Sequence, residues 1–271
     1  MTSHLKIAFL GGGAMGEAII KALIGRAAFQ ANHILVSEPD EGRRSTLRDR
    51  YGIHTYVHNP DCAREADILV LAVKPQVMGA ALADVHAVLR KDALVFSIAA
   101  GITIEAIRAG LHAEQPVVRT IPNTPAQIGQ GMTAWLATPN VSAPQLDLAK
   151  LVLSAMGADV RVDKESQIDM ATAINGSGPG FLFLLMEAMI DGAVHLGFMR
   201  PVAEQLVMQT FKGSVEYALQ SPLHLAQLRN QVTSAGGTTA AGLYELEKAG
   251  VRTALADAIW AAYRRSVELG K

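Results

Sequence analysis

Short apolar runs alternate with amphipathic stretches along the first part of the chain. Residues 6–10 form an apolar run that enters Gly11-Gly12-Gly13-Ala14-Met15-Gly16, after which Met15, Ile19 and Leu23 recur at four-residue steps. Such a run, followed by glycines and then by helical periodicity, predicts strand, tight turn and helix. The alternation continues, with strands expected at 34–36, 55–57, 68–73, 94–98 and 117–121 and helices at 41–50, 61–65, 77–89 and 104–109. Two more short strands are expected at 132–137 and 159–162, around a helix at 144–155. Strands that alternate with helices fold as a parallel sheet wound on both faces.

Beyond Asp163 the strand pattern stops and only helical periodicity remains. Helices are expected at 165–174, 181–196, 200–219, 221–229 and 253–269, with Asn175-Gly176-Ser177-Gly178-Pro179-Gly180 as a loop between the first two. The fold class is therefore α/β, a Rossmann-type doubly wound parallel sheet in residues 1–163 followed by an all-helical domain in residues 164–271. In the helix at 181–196, Glu187, Asp191 and His195 fall on one stripe, while Phe183, Leu184, Leu185, Met186, Met189, Ile190 and Val194 cover the remainder. A helix that is apolar over most of its circumference has to be covered on most sides. The rest of the helical half is too short to surround it, which predicts a two-fold homodimer with intertwined helices. Any larger assembly would be an oligomer of such dimers.

Composition narrows the task. A chain of 271 residues has length for roughly two domains. Its 24 Lys plus Arg against 25 Asp plus Glu leave no basic excess to attract nucleic acid. The single cysteine, Cys62, rules out an internal disulfide framework and suits a reducing cytoplasm. The start of the chain is too short and too soon followed by glycines for a secretory signal. The most apolar region, 181–186, is broken by Glu187 and Asp191, short of the roughly 18 apolar residues of a membrane span. The Glu187, Asp191 and His195 stripe is expected to be a solvated or interface face, and no zinc spacing occurs, so no metal is expected. A soluble, cytoplasmic protein acting on a small molecule is the expectation.

Gly11, Gly13 and Gly16 satisfy G-x-G-x-x-G between a strand and a helix, the arrangement that lets a backbone approach a dinucleotide pyrophosphate. About 20 residues on, where such folds read the adenine ribose, stands Glu38. A carboxylate there accepts from a ribose 2'-hydroxyl and favours NAD(H), whereas Arg43 and Arg44 would pair with the 2'-phosphate of NADP(H) or lie on the solvated face of their helix. The cofactor expectation is NADP(H), with NAD(H) as the alternative. Loops at the carboxyl ends of the strands make Lys74, Pro75, Ala100, Gly101, Asn123 and Thr124 candidates to line the crevice.

In residues 232–250 Gly236 and Gly237 run into Thr238 and Thr239, and Ala240, Leu243, Leu246 and Ala249 then recur at helical spacing. A tight turn feeding a helix leaves backbone N-H groups unpaired in its first turn. No Glu or Gln follows three positions after Ser234, Thr238 or Thr239, so no capping box consumes them. The amides of Gly237, Thr238 and Thr239 are open to a carboxylate or a phosphate.

Together with Ala72-Val73-Lys74-Pro75, Ala99-Ala100-Gly101-Ile102, Pro122-Asn123-Thr124-Pro125 and Gly176-Ser177-Gly178-Pro179, these motifs closely resemble the pyrroline-5-carboxylate reductases over essentially the whole chain. The resemblance implies reduction of 1-pyrroline-5-carboxylate to L-proline by hydride from NAD(P)H, the last step of proline biosynthesis. It implies a cofactor site formed by Gly11, Gly12, Gly13, Ala14, Met15, Gly16, Ala72, Val73, Lys74, Pro75, Ala100, Gly101 and Asn123, with Ser37, Glu38 and Asn59 near the adenosine. It places the substrate at Ser234, Gly236, Gly237, Thr238 and Thr239, with the carboxylate on the backbone amides and the catalytic Thr239 hydroxyl beside the ring nitrogen. This chain departs from the usual pattern at Asn175, Gly180, Phe181, Ala235, His224-Leu225 and Arg229-Asn230, which bears on the fit of the substrate. The same motifs leave two alternatives: another imine or β-hydroxy-acid reductase of the same fold, and a noncatalytic dinucleotide-binding regulator. β-Hydroxy-acid reductases use a lysine general acid on the interdomain helix, and residues 177–195 contain no lysine.

Overall fold

A computed structural model describes residues 4–270. β1 (Ile7–Leu10) and α1 (Ala14–Gly25) bracket the glycine turn, followed by β2 (Ile34–Ser37), α2 (Glu41–Tyr51), β3 (His54–Tyr56), α3 (Asn59–Ala63), β4 (Ile68–Leu71) and α4 (Met78–Val85). β5 (Leu94–Ser97), α5 (Ile104–Gly110), β6 (Val117–Ile121), β7 (Gly131–Ala137), α6 (Ala143–Met156) and β8 (Gly157–Arg161) complete one eight-stranded sheet in the order β3-β2-β1-β4-β5-β6-β7-β8. The order reverses between β1 and β4, so a crevice opens at their carboxyl ends.

Alternate residues of each central strand face opposite sides. Ile7, Phe9, Val36 and Val70 pack with Ile19 and Leu23 of α1 and Val152 of α6. Ala8, Leu10, Leu35 and Leu71 pack with Cys62 of α3 and Leu82 and Val85 of α4. Both faces are covered, which is why these strands read as continuous apolar runs. The Cys62 thiol is enclosed, and burial pushes it up to about 12.

Two expectations are corrected. β6 and β7 pair antiparallel, the one such pairing in a sheet otherwise parallel. The segment 122–130 holds only a 3-10 turn and has no room for the crossover helix that a parallel pair requires. The second correction is at 175–180, where no loop forms. α7 (Ser166–Ala171) widens into a π turn at Thr172–Gly176, and α8 (Gly178–His195) follows directly. The Ser177 amide donates to the Thr172 carbonyl at 2.9 Å, a five-residue step. Asn175 Nδ2 donates to the carbonyls of Ile121 at 2.8 Å and Met132 at 2.9 Å, so the wide turn is tied to both β6 and β7. With the break gone, residues 166–195 form a helical path long and apolar enough to cross a membrane by length and composition.

α9 (Arg200–Gln220), α10 (Leu225–Gln231), α11 (Thr238–Lys248) and α12 (Val251–Leu269) complete the chain. By packing, the chain divides into two compact units: one runs to Ser177 and takes up the chain again from Ala261, and the other is Gly178–Trp260. In the second unit α8 leaves Phe183 61%, Leu184 64% and Met189 49% exposed. Its Asp191 pairs with Arg200 at 2.8 Å on the polar stripe. Among the described residues no group of three His, Cys, Asp or Glu is placed to hold a metal.

Within the first unit a buried cation ties α7 to β6. Arg119 of β6, 1% exposed, pairs through Nη1 with Glu165 and through Nη2 with Asp169 of α7, each at 2.8 Å. Glu165 also accepts from the Ile104 amide at 2.7 Å, and Asp169 from Ser266 Oγ of α12 at 3.3 Å. Removing the cation leaves two carboxylates facing each other without their donor. Arg119→Met is expected to destabilise the protein by about 3 kcal/mol, read as a lowered midpoint in urea unfolding; an unchanged midpoint would show that the cluster holds nothing in place.

Candidate active site

The glycine turn is shaped for a close backbone approach. Gly11 has φ +97°, and a Cβ there would lie 2.9 Å from the Ala72 carbonyl oxygen. A Cβ on Gly16 would lie 2.9 Å from the Gly11 oxygen, so these two glycines are required for packing. Gly13 differs, with nothing within 4 Å of its would-be Cβ. It caps α1 without a side-chain bond. The first amide to return to it is that of Glu17, at 2.9 Å, which leaves the amides of Ala14, Met15 and Gly16 without intrahelical acceptors. An open cradle over a bare helix start fits a diphosphate. The Gly12 amide is not available to a ligand, because it donates to Glu38 Oε2 at 3.0 Å.

A cavity of about 470 Å³ lies along this turn. Of the residues expected from sequence, it brings together Gly11, Gly13, Ser37, Glu38, Asn59, Ala72, Val73 and Lys74. Pro39, Val77, Ala80, Ala81 and Asp84 line it as well and were not anticipated. The last four recur at i, i+3, i+4 and i+7, one face of the helical segment after Lys74-Pro75, and that spacing was the signal available.

Other expected residues do not line the cavity. Pro75 opens the short 3-10 turn before α4. Ala100 packs beside Ile121 and Ala134. Gly101, with φ +75°, meets the end of α12, where a Cβ would lie 2.9 Å from that of Leu269. Asn123 Oδ1 accepts from the Met132 amide at 2.9 Å and so shapes the β6–β7 connection.

Neither arginine near Glu38 lies on a purely solvated face. Arg44, 6% exposed, donates to the Pro39 carbonyl at 2.7 Å and pairs with Glu41. Arg43 Nε donates to the Gly12 carbonyl at 2.6 Å, and its Nη2 pairs with Glu17. Glu17 also accepts from Arg50 and from the Tyr51 hydroxyl, each at 2.7 Å, so α1 is braced against α2. Burial pushes the Glu17 carboxyl up, but the bonds from Tyr51 and Arg43 outweigh it and hold the group below the usual carboxylate range.

In the second unit the glycine pair forms a tight turn. The Gly237 amide donates to the Ser234 carbonyl at 3.0 Å, and Gly236 has φ +70°. That is the pattern of a type II turn, with glycine third and Ala235 in the second position where proline is favoured. Ala235 therefore keeps the turn without the proline that this position favours. A Cβ on Gly237 would run into Ser234 Oγ. Gly237 caps α11 with no side-chain bond, and the first helical bond comes from Ala241 at 3.1 Å. Because the Gly237 amide closes the turn, the open amides are those of Thr238, Thr239 and Ala240. Thr239 is half-buried. Ahead of it, His224 caps α10 through a capping box with Gln227.

Comparison with known proteins matches two family models to the chain. A family model described as pyrroline-5-carboxylate reductase dimerisation matches residues 165–269, and one described as NADP oxidoreductase coenzyme F420-dependent matches residues 6–101. The pyrroline-5-carboxylate reductase of Synechocystis sp. is 41% identical, over 98% of this chain and 99% of its own. A crystal structure of Plasmodium falciparum pyrroline carboxylate reductase with NADP bound matches with a TM-score of 0.91 at 30% identity, over 99% of each chain. A structure of the enzyme from Coxiella burnetii matches with a TM-score of 0.89 at 35% identity, over 98% of this chain and 99% of that one.

The Glu17 brace carries a pH dependence of definite sign. A carboxyl whose folded pKa lies below its unfolded value stabilises the fold fully above the unfolded value, about 4.5, and this is lost as pH falls through the folded one. Thermal melts are expected to show stability dropping below that pH, with the drop reduced in Glu17→Gln; identical acid limbs in the two proteins would contradict the brace.

Proposed function

The chain belongs to the pyrroline-5-carboxylate reductase family, and on that footing we propose that it reduces 1-pyrroline-5-carboxylate to L-proline with NADPH, the last step of proline biosynthesis. It is an NAD(P)H-dependent oxidoreductase. The observation that carries the assignment is the pairing of two bare helix starts in one chain, the open glycine cradle at α1 and the uncapped turn at α11. Residues 1–163 act as the dinucleotide domain and residues 164–271 as the dimerisation and substrate domain.

The amides of Ala14 and Met15, reached past Gly13, hold the pyrophosphate, while Ser37, Glu38 and Asn59 receive the adenosine. Ala72, Val73 and Lys74 line the path towards the nicotinamide, with Pro75, Ala100, Gly101 and Asn123 shaping the loops beside it. Bound NADPH supplies a hydride. The family relative from Plasmodium falciparum is described with NADP bound. With Arg44 committed to backbone carbonyls, Arg43 is the cation left to meet a 2'-phosphate, by exchanging Glu17 for it. Glu38 suits an unphosphorylated ribose, so NADH is the second cofactor the site admits.

The substrate is a cyclic imine bearing a carboxylate. The amides of Thr238, Thr239 and Ala240 hold the carboxylate, in the turn set by Ser234, Gly236 and Gly237. The imine carbon is most electrophilic when its nitrogen is protonated, and the Thr239 hydroxyl accepts from that N-H. Substrate entering as the iminium needs no proton donor from the chain. Placement and charge complementarity are what the protein contributes.

The exposed apolar α8, within a segment matched by a dimerisation family model, supports a homodimer as the working unit. The membrane-length helix then serves a protein interface, with its Asp191–Arg200 pair on the polar stripe. Balanced charge and a buried, reduced Cys62 suit a cytoplasmic enzyme with no nucleic-acid partner.

The direct test follows nicotinamide absorbance with 1-pyrroline-5-carboxylate and either NADPH or NADH. Turnover is expected, and Thr239→Ala should lower kcat by about tenfold to a hundredfold, in the range of one lost hydrogen bond to a charged group. Unchanged kinetics would remove Thr239 from the site. No oxidation of either cofactor would leave a noncatalytic dinucleotide-binding protein.

A further inference from the structure

The cofactor cavity contains a relay of three side chains that hydride transfer does not require. Ser37 Oγ donates to Asn59 Oδ1 at 2.7 Å, and Asn59 Nδ2 donates to Asp84 Oδ2 at 3.0 Å. The three come from the end of β2, the start of α3 and the cavity face of α4. A serine hydroxyl has one proton, and its other acceptor, the Phe9 carbonyl, is at 3.4 Å, so Asn59 is the better partner. This fixes the Asn59 amide, because turned round it would set its oxygen against the Asp84 carboxylate. Asp84 is thereby held by one oxygen, and among the described residues its Oδ1 has no donor. Beside it the cavity is lined by Val77, Ala80 and Ala81, side chains without polar atoms and small enough for a flat ring to lie on.

We infer that Asp84 reads the adenine base of the dinucleotide, with the purine on Val77 and Ala80 and its exocyclic amine donating to the carboxylate. The inference rests on the dinucleotide assignment made above. The amides of the glycine cradle and the carboxylate of Glu38 recognise pyrophosphate and ribose, which every dinucleotide shares. Asp84 recognises what only some bases offer. Adenine presents N-H donors at C6, whereas hypoxanthine presents a carbonyl oxygen there, which a carboxylate repels.

Equilibrium binding separates the possibilities without turnover. The full-length protein is titrated with NADPH and with reduced nicotinamide hypoxanthine dinucleotide phosphate, followed by the fluorescence of the reduced nicotinamide. Wild type should bind the adenine form about tenfold more tightly, the effect of one hydrogen bond to a charged group that is exposed before binding. In Asp84→Ala the two affinities should converge. In Asp84→Asn the new amide oxygen takes the Asn59 N-H and turns its own NH2 to the base, so the preference should vanish or reverse. Equal binding of both dinucleotides by wild type, or the wild-type preference persisting in either variant, would overturn the inference. If neither dinucleotide binds wild type, the cofactor assignment itself falls and Asp84 with it.

Discussion

A helix that is apolar around most of its circumference cannot remain in water, and α8 is such a helix. In the single chain only Pro179 of α8 is buried, and the rest of its unit buries only Ala203, Val207 and Leu228. Four residues are no core for a unit of this size. Burying a single Phe, Leu or Met side chain contributes about 1.5–3 kcal/mol, so Phe183, Leu184 and Met189 alone supply a strong drive towards a covering surface. α11 has no buried residue of its own. The turn at Ser234–Gly237 and the amides that follow it therefore gain a fixed position only once the helices around them are covered. A second subunit over α8 would therefore hold the proposed substrate seat in place.

The first unit is built on the opposite principle. Its strands are buried on both faces, and its glycine turn is set by close backbone contacts, Gly11 against the Ala72 carbonyl and Gly16 against that of Gly11. Arg119 carries that order outwards, fixing α7 and the end of α12 to β6, and Asn175 does the same for the π turn. The proposed cofactor cradle is thus preorganised within one chain. A reductase that transfers hydride by position, with no paired acid and base, depends on such rigidity.

Much of this was legible in the sequence, for reasons that differ by element. The central strands announced themselves because double-sided burial leaves only apolar residues, and the glycine motif because its flanks matched. The antiparallel β7 was hidden because an apolar run carries no direction; only the shortness of 122–130 hinted at it. The π turn was missed because Gly-Ser-Gly-Pro is usually a breaker, and what holds it helical is a long-range bond from Asn175. Arg119 stood inside a buried strand and so required counter-charges, but its partners lie 46 and 50 positions away. Glu38 stands out by its distance from the glycines, whereas Asp84 shares a helical face with Val77, Ala80 and Ala81, a spacing that marks a common face without showing that the face borders the cavity. The Gly237 amide was assigned to a ligand because sequence shows a turn without showing which bond closes it.

Whether the second unit and the proposed substrate seat depend on a second copy covering α8 is read from sedimentation equilibrium over a dilution series, with activity and far-ultraviolet circular dichroism measured alongside. Species of twice the chain mass or a multiple of it are expected, with activity and helicity lost together wherever dilution produces single chains. A stable, fully helical and active single chain would contradict that dependence.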